Sequence, residues 1–284
     1  MRNLVATFGL TFMGAAGSLS LPAAAQDMGL TLSAPVVAAV PQVAQELRPS
    51  VSQALPARML VIGDSLAEGF GVLLITQAEA RGMPITVTNA ARNSTGLARS
   101  DYYDWPAQFE AMVADTAPDI IVAHFGANDM QALIQPGSRT PLSTDDWDVA
   151  YAAEIDEVLS TAADIGAVVY LLGPATDTHR NLNIHLARIN PLFEDRAAAF
   201  GATYFPLVPF TSGPNGEFSQ MVEVDGQNVR LRTSDGSHFT EIGYRLVADR
   251  VLDSLVAQFP QLDQPSGLAS EVASVDDVPG LPLQ

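Results

Sequence analysis

Short apolar runs alternate with longer amphipathic stretches along most of this chain. Apolar, β-rich runs at 59–62, 85–88, 119–125, 167–172 and 203–207 predict five strands. Between them, spacing of apolar residues near 3.6 predicts helices over 66–80, 105–116, 146–165 and 182–200. The run DIIVAHF at 119–125 is apolar almost throughout, as expected of a strand covered on both faces. This β-α-β-α order implies a parallel sheet with helices on both sides. After the fifth strand the period drops to two. Residues 218–224 and 228–232 alternate around Asp225-Gly226, a strong hairpin signal. Thr240 then caps a last helix over 241–259, with Ile242, Leu246, Val251, Leu255 and Phe259 on one face.

The ends of the chain lack this alternation. Residues 1–25 read as a secretory signal peptide: Arg2 at the start, an apolar, small-residue stretch, then Ala23-Ala24-Ala25 as a cleavage site. The competing reading is an uncleaved anchor, against which Gly9, Gly14, Gly17 and Pro22 interrupt the run. Residues 26–57 read as a linker or peripheral segment, 58–260 as the globular domain, and 261–284 as a disordered tail. No membrane span is expected once the signal is removed, and the expected location is the periplasm or the exterior.

Composition narrows the chemistry. Fourteen basic residues, all Arg, face 32 acidic ones, for a net charge of −18. That balance argues against a nucleic-acid partner, which needs a basic footprint. Without cysteine, thiol nucleophiles and cysteine-zinc sites are excluded. The four histidines are scattered, so no metal site and no cofactor is expected.

A parallel sheet gathers the loops at the carboxyl ends of its strands on one rim, where ligands bind in open α/β folds. Those loops carry Gly63-Asp64-Ser65-Leu66, Asn93-Ser94-Thr95-Gly96 and Gly126-Ala127-Asn128-Asp129, and Asp235-Gly236-Ser237-His238 precedes the last helix. Ser65 alone reads as either a helix cap or a nucleophile. His238 is either a surface histidine or the base that takes the serine proton. Asp235 is either a turn residue or the carboxylate that orients the imidazole. Asn128 could cap the following helix or, with the N–H groups of Ser65 and Gly96, stabilise an oxyanion. Asp64 and Asp129 read as residues that hold loops by hydrogen bonds. His124, inside a strand, reads as a core histidine with its hydrogen bonds satisfied. Tyr102, Tyr103 and Trp105 are either a wall for stacking sugars or packing at a helix start.

Together, Gly-Asp-Ser-Leu at 63–66, the Gly96 loop, Gly126-x-Asn128-Asp129 and Asp235-x-x-His238 resemble, in order, the four motif blocks of the SGNH (GDSL) hydrolase superfamily. The resemblance spans roughly residues 58–260. NSTGLARSDYYDW at 93–105 is similar to an exported bacterial subgroup without a settled activity. The second block reads Asn-Ser-Thr-Gly where Ser-Gly is commoner. The resemblance implies a flavodoxin-like three-layer α/β/α sandwich with a five-stranded parallel sheet. It implies Ser65 as nucleophile, Gly96 and Asn128 as oxyanion donors, and His238 as base with Asp235 behind it. The expected activity is an exported serine esterase acting on a small ester or an acylated glycan. The alternatives are an O-acyltransferase with the same machinery and a non-catalytic envelope scaffold. The sequence does not determine the oligomeric state.

Overall fold

The computed structural model describes residue 51 and residues 55–263; the expected signal peptide at 1–25, most of 26–57 and most of the expected tail at 261–284 lie outside the described residues. The centre of the molecule is β1 (Ala57–Gly63), whose side chains are buried at six of seven positions. It pairs in parallel with β2 (Ile85–Asn89) on one side and β3 (Ile120–His124) on the other. Next come β6 (Val168–Gly173) and β7 (Thr203–Pro206), giving the parallel order β2-β1-β3-β6-β7.

The pleat divides the apolar residues of β1 between two cores. Met59 and Val61 face the layer of α1 (Ser65–Ala80) and α6 (Glu241–Gln258), with Phe70, Leu74, Val251 and Leu255. Leu60 and Ile62 face the layer of α2 (Trp105–Thr116), α3 (Asp145–Asp164) and α4 (Arg180–Phe200), with Phe109, Tyr151 and Phe193. The result is the three-layer α/β/α sandwich expected from the sequence. Full burial of one such Leu or Phe side chain is worth about 1.5–3 kcal/mol, so both faces of the sheet are held strongly.

The helix starts follow the sequence closely. Asp64, Asp104, Thr144 and Thr240 each accept a backbone N–H of the first turn of α1, α2, α3 and α6. Pro106 sits in the first turn of α2, where no N–H is missed. The hairpin also forms, between β8 (Met221–Val224) and β9 (Gln227–Arg230), with positive φ at both Asp225 and Gly226. Its strands are shorter than the alternation suggests.

Two elements have no counterpart in the sequence pattern. In the loop after β3, β4 (Leu133–Gln135) and β5 (Ser138–Thr140) form a small antiparallel ribbon. A one-turn helix, α5 (Val208–Thr211), follows β7. Beyond α6 a 3-10 turn, Pro260–Asp263, buries Leu262 in the first core, and Val51 is buried there too. No helix among the described residues is long and apolar enough to cross a membrane.

Candidate active site

The turn after β1 is dictated by crowding. Gly63 has φ +130, and a Cβ there would overlap the carbonyl oxygen of His124 on the neighbouring strand. Only glycine tolerates both conditions. Asp64 then ends the strand and starts the helix: its Oδ1 accepts from Leu66 N (2.9 Å) and Ala67 N (3.3 Å). With Asp64 as the cap, the hydroxyl of Ser65 is left free for other partners.

That hydroxyl lies 2.9 Å from His238 Nε2. On the other side of the ring, His238 Nδ1 is 2.8 Å from Asp235 Oδ2. Burial pushes the Asp235 carboxyl up, but hydrogen bonds from Thr233, the His238 ring and the backbone N–H groups of His238 and Ser237 outweigh it. Its pKa is held well below the usual carboxylate range, so Asp235 is ionised and only accepts. The shared proton therefore belongs on Nδ1, and Nε2 is left as the acceptor for the serine hydroxyl. A hydroxyl, an imidazole and a carboxylate in this order can generate an alkoxide nucleophile.

The two flanking loops carry the other expected residues. The N–H groups of Ser65 and Gly96 make no hydrogen bond among the described residues. Asn128 is half-buried and donates Nδ2 to Thr95 O (2.8 Å), which ties the loop after β3 to the one after β2. It caps no helix; the segment after it leads into the β4–β5 ribbon. Asp129 lies beneath the Gly96 turn, accepting from Ala98 N (2.8 Å) and Tyr151 Oη (2.7 Å). A Cβ on Gly96 would overlap this carboxylate, so the glycine is required by Asp129 below it. Burial pushes the Asp129 pKa up to about 6, against the hydrogen bonds from Ala98 and Tyr151 that lower it.

Other histidines and aromatics take supporting places. His124 is buried beside Asp64, Nδ1 to Oδ1 at 3.2 Å, but its Nε2 has no partner among the described residues, so within them it is a core histidine satisfied on one side only. His185 is buried edge-on against Trp147, and burial lowers its pKa to about 4. Trp105 is fully buried and donates Nε1 to Thr95 Oγ1 (3.0 Å), so it packs the helix start and offers no stacking wall. Tyr103 lies edge-on against Trp105, and Tyr102 is exposed. No cluster of metal-ligating residues occurs among the described residues.

Sequence reasoning misses the device that holds His238. Arg232 is buried, with its guanidinium 3.9 Å from the centroid of the Phe239 ring. It donates to the carbonyls of Ser237 and Thr176. Burial pulls its pKa down to about 10, against the nearby Asp177, Tyr244 and Asp235. Buried Asp177, in the loop after β6, accepts from the Ser237 hydroxyl and from His179 N (2.7 Å) and Nδ1 (2.8 Å). Thus the Asp235–His238 turn is fastened to the loop after β6. Period-two alternation puts Arg232 on the outside, but β9 ends at Arg230 and the alternation ends with it. Asp177 has a usable signal, since it follows a strand end on the same rim.

A family profile described as "Protein of unknown function (DUF459)" matches residues 58–254. Among solved structures, an acetyl xylan esterase, AlAXEase, superposes with a TM-score of 0.52 at 17% identity, covering 70% of this chain and 99% of that one. A GDSL-like lipase from Bacteroides thetaiotaomicron VPI-5482 gives 0.51 at 16% identity, covering 72% and 92%. LAE5, an alpha/beta hydrolase enzyme from the metagenome of Lake Arreo, Spain, gives 0.51 at 19% identity, covering 71% and 95%. At these identities the likeness shows the fold, which is that of the SGNH hydrolases. A search of curated proteins finds no match.

Proposed function

The chain belongs to the DUF459 family, and from that premise we propose that it is an exported serine esterase. The observation that carries the proposal is the 2.9 Å approach of Ser65 Oγ to His238 Nε2. Ser65 Oγ attacks the ester carbonyl as its proton passes to His238 Nε2, and the new imidazolium is stabilised by Asp235. The N–H groups of Ser65 and Gly96 receive the oxyanion, with the Asn128 amide held beside them by Thr95. Loss of one such donor costs on the order of 3–4 kcal/mol of transition-state stabilisation. The imidazolium gives its proton to the departing alcohol oxygen, leaving the acyl group on Ser65. His238 then deprotonates a water, which attacks the acyl carbonyl and releases the acid, and Ser65 regains its proton. Reading residues 1–25 as a secretory leader supports a place of action in the periplasm or outside the cell. That favours short-chain esters or O-acetyl groups on envelope glycans as substrates.

The test uses the mature protein with a fluorophosphonate probe and p-nitrophenyl acetate, beside Ser65→Ala and His238→Ala. We expect labelling of Ser65 and turnover, with kcat falling on the order of 10⁴-fold or more in each variant. Folded wild-type protein that neither labels at Ser65 nor turns over the ester would overturn the proposal.

A further inference from the structure

Several of the described arginines are spoken for. Among the described residues, six are paired with carboxylates, such as Arg58 with Asp119 and Arg188 with Asp148. Arg232 is committed to two backbone carbonyls. Arg92, like Arg139, Arg180, Arg230 and Arg250, has no carboxylate partner among the described residues, but of these it is the one that stands in the loop after β2, where it is exposed. Its one side-chain contact there is the face of Tyr103, with the guanidinium carbon 4.6 Å from the ring centroid.

The backbone of Arg92 is fixed within the site. Its N–H donates to Gly63 O (2.8 Å), two residues before the nucleophile. Its carbonyl accepts from Thr95 Oγ1 (2.6 Å), and the carbonyl of Thr95 in turn receives the Asn128 amide. Arg92 is therefore the hinge between the Ser65 turn and the Gly96 turn. Tyr103 is also anchored, edge-on against buried Trp105, whose Nε1 reaches the same Thr95 hydroxyl. A guanidinium resting on an aromatic face keeps its in-plane N–H groups free, and those are the donors that grip a carboxylate or phosphate two at a time. Ordering the side chain in advance lowers the entropy lost on binding.

We propose that Arg92 recognises an anionic substituent on the substrate, so that the preferred substrates are esters carrying a carboxylate or phosphate close to the scissile bond. This rests on the serine-esterase reading above. It runs against the bulk charge: at −18 the protein as a whole repels anions, so any preference for them must come from a local cation. The anion can sit on the acyl side or on the alcohol side of the ester, and matched neutral isosteres separate the two.

The experiment compares 4-methylumbelliferyl hemisuccinate with its succinamate, and 3-acetoxybenzoate with 3-acetoxybenzamide, all net of the Ser65→Ala blank. Wild type, Arg92→Gln and Arg92→Lys are each assayed at low and high salt. We expect wild type to favour the anionic member of at least one pair by about tenfold or more in kcat/KM, with the preference shrinking in salt. Arg92→Gln should bring that ratio near one. Arg92→Lys should keep part of it, since the charge survives and the fork does not. Wild type that labels at Ser65 and cleaves the neutral esters without preferring either anionic one overturns this inference and leaves the esterase reading standing. A preference that survives Arg92→Gln likewise overturns it. Folded protein with no Ser65 labelling overturns both.

Discussion

Ser65 and His238 are held in different ways. Ser65 follows a strand with neighbours on both sides, and its turn is fixed by the fit of Gly63 against His124 O and by the Asp64 cap. His238 belongs to no sheet. Its turn is held by a backbone bond from Thr233 N to His238 O (2.9 Å) and by side chains: Thr233 and two backbone N–H groups on Asp235, and Arg232 and Ser237 reaching to the loop after β6. The first arrangement cannot shift without disturbing the core. The second can shift while the core stays whole. Stability and catalysis should therefore respond separately to changes in the two regions.

The largest effect is expected at the strand-held turn. Gly63→Ala puts a methyl group against His124 O at a φ open essentially to glycine alone. Strain and overpacking together should cost about 4 kcal/mol or more, seen as a collapse of the urea midpoint or of soluble yield. A Gly63→Ala variant of ordinary stability would mean that this turn is looser than its geometry implies.

A smaller effect should appear with pH beneath the Gly96 turn. Asp129 has a folded pKa of about 6, raised by burial above the ordinary carboxylate value. Below about pH 4 it is protonated in both states and costs nothing. As pH rises through 6 it ionises in the folded protein, and its contribution to stability falls by up to about 3 kcal/mol. Asp129→Asn removes that penalty. Urea melts at pH 4 and pH 7.5 should show the variant gaining on wild type as pH rises. A constant difference across this range would refute the assignment.

The smallest change in stability, with a clear change in activity, is expected in the base loop. Arg232→Met keeps the bulk over Phe239 but frees the Ser237 and Thr176 carbonyls. Loss of alignment should lower kcat/KM for p-nitrophenyl acetate by about 10–100-fold. Stability should fall by less than about 2 kcal/mol, because relief of the buried cation's desolvation offsets part of what the two freed carbonyls cost. Equal losses of stability and activity would erase the distinction between the two regions.

What is legible in the sequence follows the same division. The parallel sheet, its strand-end loops and the meeting of Ser65, His238 and Asp235 are readable, because each depends on local pattern plus one topological rule. Asp64 reads only as a residue holding a loop, and its role as the helix cap comes from the structure. The β4–β5 ribbon is not readable, since three-residue strands leave no periodicity in a segment with Pro136 and Gly137. Arg232 is hidden because its partners are backbone carbonyls, one of them 56 residues away, which no motif marks, whereas Asp177 is marked only by its place after a strand end. Gly96 reads as an oxyanion donor, and its need to be glycine comes from Asp129 packed beneath it, which only the structure shows.

The β8–β9 hairpin pairs only with itself, and the chain leaves its second strand just before Arg232. Its Asp225-Gly226 tip is thus the natural place for the chain to grow or shrink, because closing a longer loop there costs little. Added length at the tip leaves the anchor of His238 untouched. The same length inserted between Thr233 and Ser237 would cut the Asp235 carboxylate off from the imidazole it orients.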